Sequence, residues 1–241
     1  MRKFFAFTLA ETLIVMGIIG IVSALTLPNL NSSTGEKEKI AKVKKIYQNL
    51  DDAIGRAIGV YGPIDEWFVN DTSATSQTAR FGERVTEFMK VSKVCGMTAN
   101  QGCFNLGNLK NGISGISTNK LDSGSFYKVI TADGTSLSFR RGVISGAMSD
   151  VVYIDIDGPQ KGPYTFGTDV FEFKVYENTI PFKVEPEGES WDPNFTSCLE
   201  NKNSACTHWI IANDNMDYLK ADKTGKCPNG TVLSETVTSC K

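Results

Sequence analysis

Between positions 7 and 27 the chain carries a single charged side chain, Glu11, in 21 residues. As a helix rising about 1.5 Å per residue, this stretch is about 31 Å long, which matches a bilayer hydrocarbon core of about 30 Å. Eleven of its residues are Leu, Ile, Val or Phe. Each favours insertion by about 0.3–0.6 kcal/mol, roughly 3–7 kcal/mol together, against about 2.5–3.5 kcal/mol for a carboxylate at the helix centre. Glu11 lies near one end of the run, where the penalty is smaller, so the segment is expected to enter a membrane. Arg2 and Lys3 precede it. By the positive-inside rule they hold the N-terminus in the cytoplasm and send the remaining chain to the other side.

Three readings fit such a run. It can be a plain anchor. It can be a cleaved secretory signal ending at the small residues Val22-Ser23-Ala24. Or Glu11 has a partner, since a carboxylate inside an apolar helix normally marks function. The next basic residue in the sequence is Lys37. Cleavage between Ala6 and Phe7 would create a free amine four residues before Glu11, on the same helix face or within reach of a neighbouring copy's Glu11. Small residues recur at Ala10, Gly17 and Ala24, and Gly20 stands four before Ala24. Such positions let helices approach closely.

Phe7-Thr8-Leu9-Ala10-Glu11, followed by Thr12-Leu13-Ile14-Val15, Gly20 and Pro28, resembles the N-terminal signature of type IV pilins and type II secretion pseudopilins. The resemblance implies that residues 1–6 are a leader, that a prepilin peptidase cuts between Ala6 and Phe7, and that the new Phe7 amine is methylated. It implies Glu11 as the guide of subunit docking and Pro28 as a helix kink. Residues 7–30 would be a transmembrane helix before assembly and filament core after it, and residues 31–241 an extracytoplasmic head. The implied setting is the lipid bilayer of a bacterial inner membrane, crossed once, with an inner-membrane assembly platform and other copies or related pilin subunits as partners. The product would be a periplasmic or cell-surface filament. The family usually has Gly before the cut, where this chain has Ala6. The signature covers roughly 30 of the 241 residues. The competing reading is a secreted or anchored binding module or enzyme behind an ordinary signal, its mature chain starting at Leu25.

Beyond Pro28 the chain turns polar, and residues 31–35 are expected to interrupt the helix, with Ser33 or Thr34 capping its resumption. Ile40, Val43, Tyr47, Leu50, Ile54 and Ile58 recur at spacings of three and four, which predicts an amphipathic helix over 36–60. Gly59, Gly62 and Pro63 would end it. Lys37, Lys39, Lys42, Lys44 and Lys45 crowd its first half, as a solvated face or as a contact with anionic lipid or acidic neighbours. Residues 64–77 read as loop. Phe81, Val85, Phe88 and Met89 mark a second amphipathic segment ending near Val94, and residues 95–124 read as irregular. Strands are expected at 126–130 and 136–140, joined by an Asp133-Gly134 turn of type I′, then at 151–157 and 170–176. Trp209, Ile210, Met216 and Leu219 suggest a short helix. Together these predict an α+β fold: one long N-terminal α-helix whose C-terminal half packs on a small antiparallel β-sheet head, as the resemblance also implies.

All six cysteines follow position 94. Outside the cytoplasm they would form disulfides, and their spacing suggests the local pairs Cys95–Cys103, Cys198–Cys206 and Cys227–Cys240, with Cys206–Cys227 as an alternative. No C-x-x-C pair supports zinc. Asp155 and Asp157 alternate along a strand, and a reversal through Gly and Pro residues brings Asp169 towards them. Three carboxylates with backbone carbonyls suit a calcium ion, which takes six to eight oxygens, and some pseudopilins bind calcium in their heads. The competing reading is a turn whose Asp side chains accept nearby backbone N–H groups. A net charge of −2 gives no sign of a nucleic-acid partner. With one histidine, His208, no G-x-S-x-G and no phosphate-binding loop, no enzyme is expected.

Overall fold

The computed structural model describes residues 9–104, 121–144, 147–161, 164–176 and 182–241, with side chains except at 23–34, 143–144 and 147–149. The chain forms two compact units, Met1–Glu38 and Lys39–Lys241. Helix α1 (Leu9–Tyr61) contributes to both. Its backbone stays helical through Pro28 and through residues 31–35, which corrects the expected interruption. Extending a nucleated helix fixes one residue per hydrogen bond gained, so a few weak helix formers do not stop it.

In the second unit, the predicted stripe is the buried face of α1. Val43, Leu50 and Ile54 are fully enclosed, and Ile46, Ala53 and Ala57 widen the stripe. The helix ends where Gly62 adopts φ +79° and its N–H bonds Ile58 O at 2.9 Å. A left-handed residue of this kind closes a helix and favours glycine. Residues 64–77 are more ordered than expected: Ile64–Phe68 form a 3-10 turn, and Ser73 and Ser76 cap helix α2 (Ala74–Thr86) reciprocally.

The sheet has six antiparallel strands in sequence order: β1 (Val91–Gly96), β2 (Tyr127–Thr131), β3 (Ser136–Ile144), β4 (Ala147–Asp155), β5 (Val170–Tyr176) and β6 (Lys183–Pro186). The α+β class is therefore observed. β1 falls where the second amphipathic segment was expected to end, and its two register shifts against β2 hide the alternation that would have announced it. The β2–β3 turn is also different from expectation. Gly134 has φ +88° but Asp133 does not join it at positive φ, and Thr131 N bonds Thr135 O at 2.9 Å. This is a turn closed by one left-handed glycine rather than a type I′ pair.

Strand alternation sorts the two faces. Leu137, Phe139, Val152, Ile154, Phe171 and Phe173 meet α1 and α2 in one core, with Tyr47 stacked on Phe173 at 5.4 Å. Val151, Tyr153 and Val170 point the other way, into a smaller cluster with Phe126, Phe166 and the Cys95–Cys103 bridge. Arg141 on β3 is buried between layers. Its Nη1 lies 3.3 Å from Asp150 Oδ2, its Nε donates to Gln77 Oε1, and its guanidinium sits 3.5 Å from the Phe68 ring centre. Helices α3 (Thr196–Asn201) and α4 (Cys206–Asn213) complete the main core. The disulfides are Cys95–Cys103, Cys198–Cys206 and Cys227–Cys240, so Cys206 and Cys227 each bond elsewhere than to one another.

Candidate functional site

In the first unit, residues 9–22 are all exposed along α1. Leu9, Leu13, Ile14, Val15, Met16, Ile18, Ile19, Ile21 and Val22 each keep more than half of their surface open. Their numbering runs round the helix rather than down one stripe. A helix apolar on every side belongs to an interior or a membrane, not to water. Leaving nine such side chains in water costs on the order of 10 kcal/mol, at about 1.5–3 kcal/mol for full burial of each. Glu11 is the one charged side chain of this stretch. A Cβ added at Gly17 or Gly20 would meet no atom within 4 Å, so both leave notches open to a neighbour. Ala6 and Phe7 lie outside the described residues, as do the side chains of Ala24 and Pro28.

Among the described residues, no helix is long and apolar enough to cross a membrane. The apolar side chains described span 9–22, about 21 Å of helix. The expected span of 7–27 reaches beyond them at both ends.

In the second unit, the lysine run meets acidic neighbours, the sharper of its readings. Lys45 Nζ donates to Asp133 Oδ2 at 2.6 Å, Lys44 lies 2.8 Å from Asp214, and Lys39 and Lys42 lie 3.7 and 3.9 Å from Asp157. Lys39 also donates to Thr168 O. Three loops from different parts of the chain are thus tied to one helix by its lysines.

One of these three, the β4–β5 connection, holds the acidic triad. Asp155 Oδ1 accepts from the N–H groups of Asp157 and Gly158 at 3.2 Å, and Asp169 Oδ1 from Thr165 N at 2.9 Å. These are side-chain turns, the alternative to calcium. Among the described residues, no group of three or more His, Cys, Asp or Glu is placed to hold a metal ion. Of the two readings of Asp155, Asp157 and Asp169, the backbone-capping turn is the one that Asp155 and Asp169 adopt. Burial pushes the Asp155 carboxyl up to about 8, helped by the charges of Asp169 and Asp157 and opposed by its backbone hydrogen bonds. Burial likewise raises Asp169 to about 6. A raised Asp155 carboxyl and the ammonium groups of Lys39 and Lys42 beside Asp157 both disfavour a bound cation.

A second polar group was not anticipated from the sequence. On β5, Glu172 and Lys174 alternate with Phe171 and Phe173, so both point to the face opposite α1. Lys174 Nζ lies 2.6 Å from Glu187 Oε2, and Trp191 Nε1 donates to Glu187 Oε1 at 2.7 Å. Burial raises the Glu172 carboxyl, and the Glu187 charge adds to the effect. The alternation was legible as a strand with one polar face. What covers that face comes from residues some fifteen or more positions on, which local pattern does not reveal. His208 lies against Phe195 with ring centres 4.8 Å apart and planes tilted by 37°, and burial lowers its pKa. No Ser or Asp side chain is bonded to it among the described hydrogen bonds, so it forms no nucleophile relay there.

Compared with protein-family models, with curated proteins and with solved structures, the chain matches none.

Proposed function

We propose that this chain is a filament subunit of the type IV pilus or type II secretion pseudopilus kind, with a pilin-like head. The observation that carries the reading is the helical stretch 9–22, whose large apolar side chains are exposed on every side and whose one charge is the Glu11 carboxylate. Two environments satisfy such a surface: lipid, and a bundle of the same helices. Before assembly the stretch lies in the inner membrane, the head beyond it. After a prepilin peptidase cuts between Ala6 and Phe7, the helices leave lipid for one another. Apolar burial changes little in that transfer, so register must come from polar groups. Glu11 and the freed, methylated Phe7 amine supply it, and Gly17 and Gly20 allow close approach. The disulfides suit a head outside the cytoplasm.

Intact mass and N-terminal sequencing of the native protein test this directly. The expected mature chain begins at methylated Phe7. A start at Leu25 supports the other reading, an ordinary secretory signal on a binding module or enzyme. Retention of residues 1–6 overturns the filament proposal as well. Glu11→Ala should insert into membranes at the normal level yet lower filament yield at least tenfold.

A further inference from the structure

The head carries a hole at one edge of its sheet and a knob at the other. The hole is a cleft of about 480 Å³ between α1, the segment joining α2 to β1 and the β2–β3 turn, within the size range of ligand pockets. Ile46, Phe88 and Met89 provide apolar lining. Lys45, Arg56 and Lys90 also line it. Lys45 is held by Asp133 and Arg56 by Asp52, while Lys90 has no carboxylate partner among the described residues. The cleft therefore offers an apolar lining and one uncompensated ammonium.

The knob is Trp191, just beyond β6, with 48% of its surface exposed. Its indole N–H is fixed on Glu187, which Lys174 holds in turn, so the ring is presented rather than free to fold away. Beside it, Lys183 is shared by Glu185 at 3.2 Å and Glu189 at 2.9 Å. One ammonium for two carboxylates leaves the rim of the knob acidic. An ordered, exposed Trp within a charged rim is the usual anchor of a protein interface.

β1 and β6 are the two edges of the sheet. The edges are roughly 24 Å apart, at five strand spacings of about 4.8 Å, and Trp191 is fixed through Glu187 to Lys174 on the sheet face opposite α1, so one head cannot fill its own cleft. A knob and a hole on opposite edges make a contact that repeats head to tail, and unless the rotation closes a ring it generates an open filament. We infer that Trp191 of one copy seats in the cleft of the next, with Glu189 facing Lys90. This inference rests on the filament reading and names the contact between its heads.

The test uses the full-length chain in membranes under assembly conditions, with a photoreactive benzophenone side chain at position 191. Illumination should yield a dimer whose cross-linked peptide contains Phe88, Met89 and Lys90. Because the two sites are far apart within one head, this product reports a second copy. Lys90→Glu or Glu189→Lys should each cut the product at least fivefold, and the two together should restore at least half of it. A cross-link to another region, to a different protein or to nothing overturns the contact, as does failure of the double reversal to restore it. Glu11→Ala, run in parallel, separates the two ideas. Loss of polymer in that variant, with no expected cross-link in the benzophenone chain that keeps Glu11, leaves the filament reading standing and removes the contact. The expected cross-link without any polymer keeps the contact and removes the filament.

Discussion

Lys45 on α1 reaches Asp133 in the β2–β3 turn at 2.6 Å. Burial alone would raise the Asp133 carboxyl, but hydrogen bonds from Lys45 and Thr131 and the lysine's charge bring it down to about 2. A carboxyl depressed in the folded state adds stability above its unfolded pKa of about 4, and that stability fades as pH falls through 4 towards 2. Asp133→Asn should therefore lower stability at pH 7 by about 1 kcal/mol or less, since the pair is partly open to solvent. Denaturant curves at pH 7 and pH 2 check this: the gap between variant and parent should nearly vanish at the lower pH.

Asp155 has the opposite sign. Its folded pKa is raised, to about 8, so its contribution is complete below the unfolded value of about 4 and is lost as pH climbs through 8. Asp155→Asn keeps an oxygen to accept from Asp157 and Gly158 and removes the ionisation. Thermal melts should show the variant gaining on the parent between pH 5 and pH 9, with its largest advantage at pH 9. Parallel melting curves at all pH values would contradict the assignment. Added chelator should leave both melting temperatures unchanged.

Arg141 and Asp150 are a buried pair, 6% and 0% exposed at the side chain. Removing one partner strands the other charge, which typically costs about 3–5 kcal/mol. Arg141→Ala should lose stability on that scale, and Arg141→Ala with Asp150→Ala should lose less than the sum of the two single changes. A double-mutant cycle by urea unfolding measures the difference.

Two helix glycines should respond in opposite directions. A Cβ at Gly82 would come within 2.2 Å of the Tyr127 ring, where α2 packs on β2. Gly82→Ala should cost about 1–3 kcal/mol, as overpacking generally does. Gly59 in α1 has open space around it, so Gly59→Ala should stabilise by up to about 1 kcal/mol through helix propensity. Unfolding of the full-length chain in detergent would rank the three proteins.

What the sequence disclosed follows from range. The buried stripe of α1, the 170–176 strand and the cysteine pairs all rest on neighbours within a few turns or about a dozen residues, and each is found in the structure. The lysine run was legible as a run. Its partners Asp133, Asp157 and Asp214 lie roughly 90 to 170 residues away in sequence, and only the folded sheet assembles them. β1 was missed because its bulges break the period of two, and β6 because four residues ending in Pro186 make no pattern. The acidic triad was legible in part: the backbone-capping turn was one of its two readings, but burial deep enough to raise the Asp155 and Asp169 carboxyls depends on the β4–β5 packing and not on local pattern.

The three cross-links also bear on how the head matures. Each cysteine is joined to the next one along the chain, at separations of 8, 8 and 13 residues. A polypeptide oxidised in the order in which its thiols emerge would meet the correct partner first every time. Such a head needs no reshuffling of bridges, and its oxidation can keep pace with delivery from the N-terminal end onward.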